Sequence, residues 1–387
     1  MPKTFPHYDV IIIGAGSIGA PTAFYLAQAG LRVLVIDREP SPGQGSNKTA
    51  IGGIRATHSD PAKVHLCLRS LEIFSTWQEI YGDDIEWNQG GYCFVAYRKK
   101  EESDLKELLI TQKQFGLNIE WLDRYELLKV IPDLNRENLI GGTYSPQDGN
   151  ISPLLANHSF YNQALKKNVK FHFNEYITEI ITQQGRIVGV RTNRAIYGTD
   201  YMVNAAGAWA QQINNLINLE FPIKPESHEA AITEPVARFF DAMVVDIRPI
   251  PGSSNFYFYQ HKTGQILFCL TPEPLIEGFD TRETSSFLPL ASNRILDIMP
   301  RLQTIRVRRT WRGLYPMTPD SLPIVGQSHS IQGCLLAIGM CGQGVMLGPG
   351  IAELLTRLIL NTLTTEDLDI LKYLSPDRQF TRQEILK

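Results

Sequence analysis

The 387-residue sequence predicts an α/β structure combined with antiparallel β-structure. The α/β part is indicated by residues 8–38, where an apolar strand, a glycine-rich turn, a helix and a second strand follow one another. The antiparallel part is indicated by residues 216–310, where short strands alternate with prolines. A hydrophobic content of 43% and a charged content of 20% are ordinary for a globular chain of two domains.

The first unit opens with a strand, Val10–Ile13, followed by glycines at the G-x-G-x-x-G spacing. Gly14 permits a tight turn, Gly16 lets a pyrophosphate approach the backbone, and Gly19 lets helix and strand pack closely. The start of the helix, which includes Ser17 and Ile18, presents free N–H groups to the phosphates. The order of elements predicts a Rossmann-like, nucleotide-binding unit.

The second strand of this unit, Val33–Ile36, ends in Asp37 and Arg38. Asp37 stands where an acid holds a ribose hydroxyl, and an acid there argues against a 2′-phosphate. A ligand with an ADP moiety is therefore predicted.

A polar, glycine-rich segment, residues 41–61, follows. Its small residues suit a loop that lies close against a ligand. Ser46 and Asn47 are predicted to donate to ligand oxygens, and Arg55 and His58 are the charged or chargeable candidates. The alternative for the whole segment is a solvated loop.

Changes of pattern divide the rest of the chain. Residues 1–84, 141–215 and 319–387 are assigned to the nucleotide-binding domain, and residues 85–140 and 216–318 to a discontinuous second domain on a mixed or antiparallel sheet. Predicted helices cover 62–80, 99–115, 153–167 and 351–360, and predicted strands include 87–97, 119–122, 169–173, 176–182, 187–192, 201–209, 255–260, 265–270 and 334–338.

Two further stretches have small residues where a ligand would need space. One is VNAAGAW, residues 203–209, in which small side chains imply a backbone pressed against something flat or bulky. The other is GMCGQGVMLGPG, residues 339–350, which opens the last predicted helix.

Composition excludes several classes of protein. A net charge of −3 offers no basic face for nucleic acid, and no apolar run reaches the ~18 residues of a membrane span. Five scattered cysteines match no cysteine metal site and fit a reducing compartment. No signal peptide is apparent at the first residues, so a cytoplasmic protein without a metal is expected.

Three motifs together carry a family resemblance: the first glycine fingerprint, VNAAGAW, and TPDSLPIVG followed by the second glycine cluster. In this order they resemble the FAD-dependent amine oxidoreductases of the D-amino-acid oxidase superfamily, which includes sarcosine oxidase, glycine oxidase and dye-linked proline dehydrogenase. The resemblance implies that FAD is the cofactor and that the nucleotide-binding domain is an FAD-binding domain. The helix after the second glycine cluster fits this, since helix N-termini favour the negative charge of a reduced flavin.

The resemblance also implies which residues contact FAD. Ile177 is expected beside the adenine, and the VNAAGAW segment is expected to close over the flavin. The complete predicted set is Gly14, Gly16, Ser17, Ile18, Gly19, Asp37, Arg38, Ser46, Asn47, Ile177, Ala205, Ala206, Gly207, Trp209, Gly313, Gly339, Gly342, Gln343, Gly344, Val345 and Met346.

The sequence departs from relatives in ways that bear on the substrate. Where glycine oxidase-like proteins have an arginine that pairs with the substrate carboxylate, this chain has Tyr315. Gly313 matches the cysteine that holds FAD covalently in monomeric sarcosine oxidases, which implies non-covalent FAD at that site. Met346 and Leu267 replace two lysines of the sarcosine oxidases, one for the carboxylate and one for the reaction with oxygen.

These observations predict an enzyme that oxidises a small amine, such as a secondary or N-methylated amino acid, by hydride transfer to flavin. The predicted catalytic-site residues are Arg55 for the carboxylate, with Tyr257 and Tyr315 as pocket walls; surface charge and sheet packing are the alternatives. Two other functions stay open: oxidation of a 2-hydroxy acid, and a flavin subunit that passes electrons to a partner.

Overall fold

The computed structural model describes residues 5–386, which contain two eight-stranded sheets and a small two-stranded one. The strands of the first sheet are β1 His7–Ile13, β2 Val33–Ile36, β8 Lys170–His172, β9 Ile177–Gln183, β10 Arg186–Thr192, β11 Ile196–Asn204, β17 Ile324–Gln327 and β18 Cys334–Ile338. Those of the second are β4 Tyr92–Ala96, β5 Glu120–Asp123, β6 Gly141–Ser145, β12 Lys224–Thr233, β13 Met243–Asp246, β14 Ser253–Gln260, β15 Ile266–Pro272 and β16 Val307–Met317. The small sheet pairs β3 Gly53–Ile54 with β7 Gly149–Asn150.

Helices flank both sheets. They are α1 Gly19–Gln28, α2 Pro61–Tyr81, α3 Lys99–Gln114, α4 Arg124–Val130, α5 Pro153–Lys166, α6 Ala210–Asn215, α7 Phe287–Ile298, α8 Gly344–Ile359 and α9 Thr365–Leu374. Short 3-10 turns cover Ser46–Thr49, Gly207–Trp209 and Pro300–Thr304. None of the helices in residues 5–386 is long and apolar enough to cross a membrane.

The first sheet contains the predicted parallel core. Its main order is β17-β18-β11-β1-β2-β8, with β1 parallel to both β2 and β11. All four residues of β2 are buried, as expected for a parallel strand covered on both faces. The fold class predicted from the sequence is confirmed.

The chain enters the second sheet twice. Strands β4–β6 form one part and β12–β16 the other, and β4 joins them by pairing in parallel with β13. The predicted boundary at residue 141 differs from the observed one. The strand Gly141–Ser145 pairs with β4 and β5 in the second sheet, so the chain returns to the first sheet only after Ser145.

Helix α8 begins at Gly344, seven residues before the predicted start at Ile351. The prediction left residues 344–350 outside the helix, but Gly348 and Gly350 lie within it and serve packing. A Cβ at Gly348 would lie 2.0 Å from the Ser17 carbonyl oxygen, and one at Gly350 would lie 2.4 Å from that of Leu66. The glycines therefore let α8 approach the backbone beside α1 and that of α2.

Candidate functional site

A continuous cavity of about 940 Å³ is lined by residues of both sheets. Both glycine clusters, the polar segment after β2 and the VNAAGAW turn contribute to its wall. So do all but three of the residues predicted from the sequence: Gly19, Gly313 and Gly339 do not line it. His58 also lies away from it, fully buried beside Glu384.

The three glycines of the first turn have different surroundings. Gly14 has a φ of +105°, and a Cβ there would lie 2.6 Å from the carbonyl oxygen of Ala205. A Cβ at Gly19 would lie 1.8 Å from the Gly14 carbonyl oxygen. No described atom lies within 4 Å of the Cβ position at Gly16, which faces the cavity. Only Gly16 therefore leaves space for a ligand, as the motif requires of its second glycine.

Asp37 closes this turn from the end of β2. One carboxylate oxygen accepts a hydrogen bond from the Ala15 N–H at 2.6 Å and the other from the Glu39 N–H at 2.9 Å. Burial raises the pKa of Asp37. Nearby, the Arg38 guanidinium lies 4.0 Å from the centre of the Trp209 ring. Trp209 therefore stands at the Asp37 end of the cavity, where the sequence predicts the ribose.

The second glycine cluster lies beside the first on the cavity wall. Gly342 has a φ of +80°, and a Cβ there would lie 2.2 Å from a ring carbon of Tyr315. A Cβ at Gly344 would approach the Ser17 hydroxyl to 3.1 Å. The N-terminus of α8 and the turn before α1 are thus adjacent, so both can face one ligand.

Several buried polar atoms on the cavity wall lack a partner in the described part of the chain. They include the Ser46 hydroxyl, the side-chain carbonyl oxygen of Asn47 and that of Gln343. Buried polar groups are normally hydrogen-bonded, so these atoms indicate a polar ligand. Together with the open space at Gly16 and the two helix N-termini, they fit a long cofactor that carries phosphates at one end.

Gly313 does not line the cavity but lies next to Thr49, which does. A Cβ at Gly313 would come within 2.3 Å of the Thr49 hydroxyl. A larger side chain at residue 313 would therefore displace the turn Ser46–Thr49.

Arg55 is the buried cation of the cavity, with 4% of its surface exposed. Its Nη2 donates to the Leu386 carbonyl at 2.7 Å, and its Nη1 donates to the Thr57 carbonyl. No ion pair within 4.0 Å joins Arg55 to a carboxylate of residues 5–386. A guanidinium has five N–H donors, so donors remain for an anionic ligand.

Asp148 supports the loop that carries Arg55. Its carboxyl accepts from the Ala56 N–H at 3.1 Å and from the Thr57 hydroxyl at 3.4 Å. Burial raises the pKa of Asp148 to about 7. No local pattern in the sequence selects Asp148, since its partners lie more than 90 positions away.

Tyr257, Tyr315 and His228 form a group on one side of the cavity. The two phenol oxygens are 2.8 Å apart, and the His228 ring stacks on Tyr315 with centroids 3.8 Å apart. Burial raises the pKa of both tyrosines, so both keep their protons. Tyr259, two residues along the strand, instead donates to the Ile51 carbonyl at 2.6 Å.

His228 is another residue of the site that was not predicted from the sequence. It is 6% exposed and lines the cavity, and neither ring nitrogen has a hydrogen-bond partner among the residues described. Burial lowers its pKa, although Glu226 at 3.8 Å acts in the opposite direction. A neutral imidazole therefore faces the cavity. The sequence signal for His228 is the alternation of strand β12, which places residue 228 on the same face as residue 226. Both residues line the cavity.

Two glycine turns and unpartnered polar atoms in one cavity fit a dinucleotide cofactor, as expected of an oxidoreductase with this fold. The family model of FAD-dependent oxidoreductases (DAO) matches residues 9–358. This chain therefore belongs to that family.

Individual relatives agree. The hydrogen cyanide synthase subunit HcnC of Pseudomonas aeruginosa is 26% identical over 95% of each chain, and the glycine oxidase of Geobacillus kaustophilus is 26% identical over 93% of this chain and 95% of its own. The crystal structure of L-proline dehydrogenase from P. horikoshii superposes with a TM-score of 0.89, at 30% identity, over 96% of this chain and 97% of that one. The protein is an FAD-dependent oxidoreductase of the amine and amino-acid type, and the prediction of FAD is confirmed.

Proposed function

We propose that this enzyme oxidises a small secondary or N-methylated amino acid, of the sarcosine or proline kind, to its imine. The observation that carries the proposal is Arg55, a buried guanidinium on the cavity wall whose nearest acceptors are neutral carbonyls. A buried charge without a charged partner is costly, and a substrate carboxylate would supply that partner. The relatives named for sarcosine and proline point to the same substrate class.

The other groups of the cavity suit an amine. FAD, when bound, would supply an acceptor for the hydride on the substrate carbon next to nitrogen. In this proposal Arg55 holds the carboxylate, and the neutral imidazole of His228 offers a ring nitrogen that accepts a hydrogen bond from the substrate amine. Tyr257 and Tyr315 restrict the orientation of the substrate between these two points.

An anaerobic flavin-bleaching screen tests this proposal. The purified enzyme is mixed with sarcosine, L-proline, glycine and lactate, and the flavin absorbance is followed. Bleaching is expected with at least one amino acid that has a secondary amine. Bleaching by lactate alone would support the alternative, a 2-hydroxy acid dehydrogenase, and would contradict the amine assignment.

We propose as a second candidate that the chain acts as a flavin subunit that passes electrons to a partner or dye. The relative from P. aeruginosa is named as a subunit, and Leu267 stands where sarcosine oxidases are expected to have a lysine. Comparison of peroxide release with dye reduction tests this: dye reduction should be the faster, and fast peroxide formation would exclude it.

We also propose that FAD is bound non-covalently, because residue 313 is a glycine with no nucleophile. Acid precipitation should release all of the flavin into the supernatant. Yellow colour in the pellet would contradict the proposal.

A further inference from the structure

The segment that follows α9 crosses back to the loop that carries Arg55. The Arg378 guanidinium pairs with the carboxylate of Asp320, Nε to Oδ2 at 2.8 Å, and the Glu384 N–H donates to the Asp320 carbonyl at 3.0 Å. Arg382 lies 3.7 Å from the carboxylate of Asp60. Residues 378–386 are therefore attached at several points to the FAD-binding part of the chain.

Glu384 is the deepest attachment. Its side chain and that of Lys63 are both fully buried, with Oε2 and Nζ 3.3 Å apart. The second carboxylate oxygen accepts from the Ser59 N–H at 2.9 Å and from the Ser59 hydroxyl at 2.7 Å. Removal of one partner would leave the other charge buried without compensation, so this pair holds the segment firmly against α2.

Leu386 makes the contact with Arg55. Its carbonyl accepts a hydrogen bond from Arg55 Nη2 at 2.7 Å. Its side chain is 4% exposed and packs in a cluster with Ile51, Tyr92 and Phe94. All three of those residues also line the cavity. The Leu386 carbonyl is neutral, so it orients the guanidinium without cancelling its charge.

We infer that Leu386 and Glu384 support the carboxylate subsite through Arg55. Leu386 is a positioning residue that directs the guanidinium of Arg55, and the Glu384–Lys63 pair holds Leu386 in place. This inference rests on the proposed function, in which Arg55 binds the substrate carboxylate. Leu386 is not among the pocket residues predicted from the sequence, because it lies 331 positions from Arg55.

Two probes of the same shape test it: pyrrole-2-carboxylate and the uncharged pyrrole-2-carboxamide. Each is titrated into the FAD-loaded enzyme, and Kd is read from the change in flavin absorbance. Leu386→Gly should raise the Kd for pyrrole-2-carboxylate about tenfold or more. The Kd for pyrrole-2-carboxamide should stay within about twofold of the wild-type value, and the FAD content should not change. Leu386→Met should restore the wild-type values. Ile385→Gly is the matched control, since Ile385 is 66% exposed, and it should change neither Kd.

The results separate this inference from the proposed function. Equal weakening of both probes by Leu386→Gly, or no weakening, would overturn the positioning role. Glu384→Gln should give the same selective loss if it folds, and Leu386→Gly decides the matter if it does not. If Arg55→Met also fails to distinguish the two probes, the assignment of Arg55 to the carboxylate is wrong.

Discussion

Arg55 is a buried cation on the cavity wall. Its neighbours Tyr92 and Phe94 are aromatic, and its acceptors are main-chain carbonyls. Water is excluded from such a group, so its attraction for a carboxylate is screened less than at the surface. Loss of the guanidinium should therefore affect substrate binding far more than the fold of the protein.

The first prediction concerns this charge. Arg55→Met should raise KM for the amino-acid substrate about 100-fold, because a buried, charge-assisted contact is worth roughly 2–5 kcal/mol. Steady-state assays with an artificial dye measure it. Arg309→Met is the control, because Arg309 is exposed on β16, and its KM should stay unchanged. Equal effects of the two substitutions would contradict the role of Arg55.

The second prediction compares two tyrosines of one strand. Tyr257→Phe should lower kcat/KM about tenfold, because it removes the hydroxyl that meets Tyr315 at the cavity wall. Tyr259→Phe should lower the melting temperature and leave kcat/KM unchanged, because its hydroxyl serves the Ile51 carbonyl. The same kinetic loss in both variants would show that packing, and not the position in the site, is responsible.

At the scale of elements, the N-terminus of α8 and the loop around Arg55 depend on close backbone contacts. Gly342 allows the turn into α8 beside Tyr315, and Asp148 fastens residues 56 and 57 to the strand pair β3–β7. Each contact is made by a residue that a conservative substitution can test.

Gly342→Ala should reduce the FAD content of the purified protein. The added Cβ would lie 2.2 Å from the Tyr315 ring, so the turn has to move from its position on the cavity wall, where we propose that FAD binds. Gly30→Ala is the control, because Gly30 has a φ of +91° but no described atom within 4 Å of its Cβ position. Both variants lose stability from the backbone conformation, but only Gly342→Ala should lose FAD. Full FAD content in Gly342→Ala would exclude this role for the turn.

Asp148 gives a prediction about pH. Its pKa is raised to about 7 by burial, so its contribution to stability is complete below its ordinary pKa and is lost as the pH rises through about 7. Asp148→Asn stays neutral and keeps an acceptor for the Ala56 N–H. Between pH 5 and pH 8, the free energy of unfolding of the wild-type protein should therefore fall by on the order of 2 kcal/mol relative to that of this variant. Melting temperatures at both pH values measure it, and parallel curves would contradict the prediction.

At the scale of the whole molecule, one cavity connects distant parts of the chain. The turn before α1 and the N-terminus of α8 meet at Ser17, and strands from the second sheet supply the tyrosines and His228. A cofactor in this cavity would contact both ends of the chain, so its binding should stabilise the fold as a unit.

Removal of FAD should accordingly lower the melting temperature of the entire protein in one transition. Added FAD at 100 times its Kd should raise the free energy of unfolding by about 2.7 kcal/mol. Calorimetry of the apoprotein with increasing FAD measures this change, and ADP alone is the control, which should stabilise less. A separate transition that does not respond to FAD would show that the two sheets unfold independently.

Local pattern was sufficient for the first unit of the fold. The strand, the glycine spacing, the helix and Asp37 lie within 31 residues, so their arrangement depends on short-range geometry. The same holds for most strands and for helices α3 and α5, which the structure places within a few residues of their predicted bounds. Local pattern was insufficient at Gly348 and Gly350, where the reason for glycine is a neighbouring backbone distant in sequence.

By itself, the sequence determined the α/β class, predicted an ADP-bearing cofactor at the first glycine turn and selected Arg55 and Tyr257 as candidates. Only the tertiary structure decided how these parts combine. It placed Gly141–Ser145 in the second sheet, turned His228 toward the cavity and brought Leu386 to Arg55. Those contacts join residues far apart in the chain, and neither periodicity nor spacing records them. The glycine turn of residues 14–19 and the helix that begins at Gly344 are thus two sides of one site.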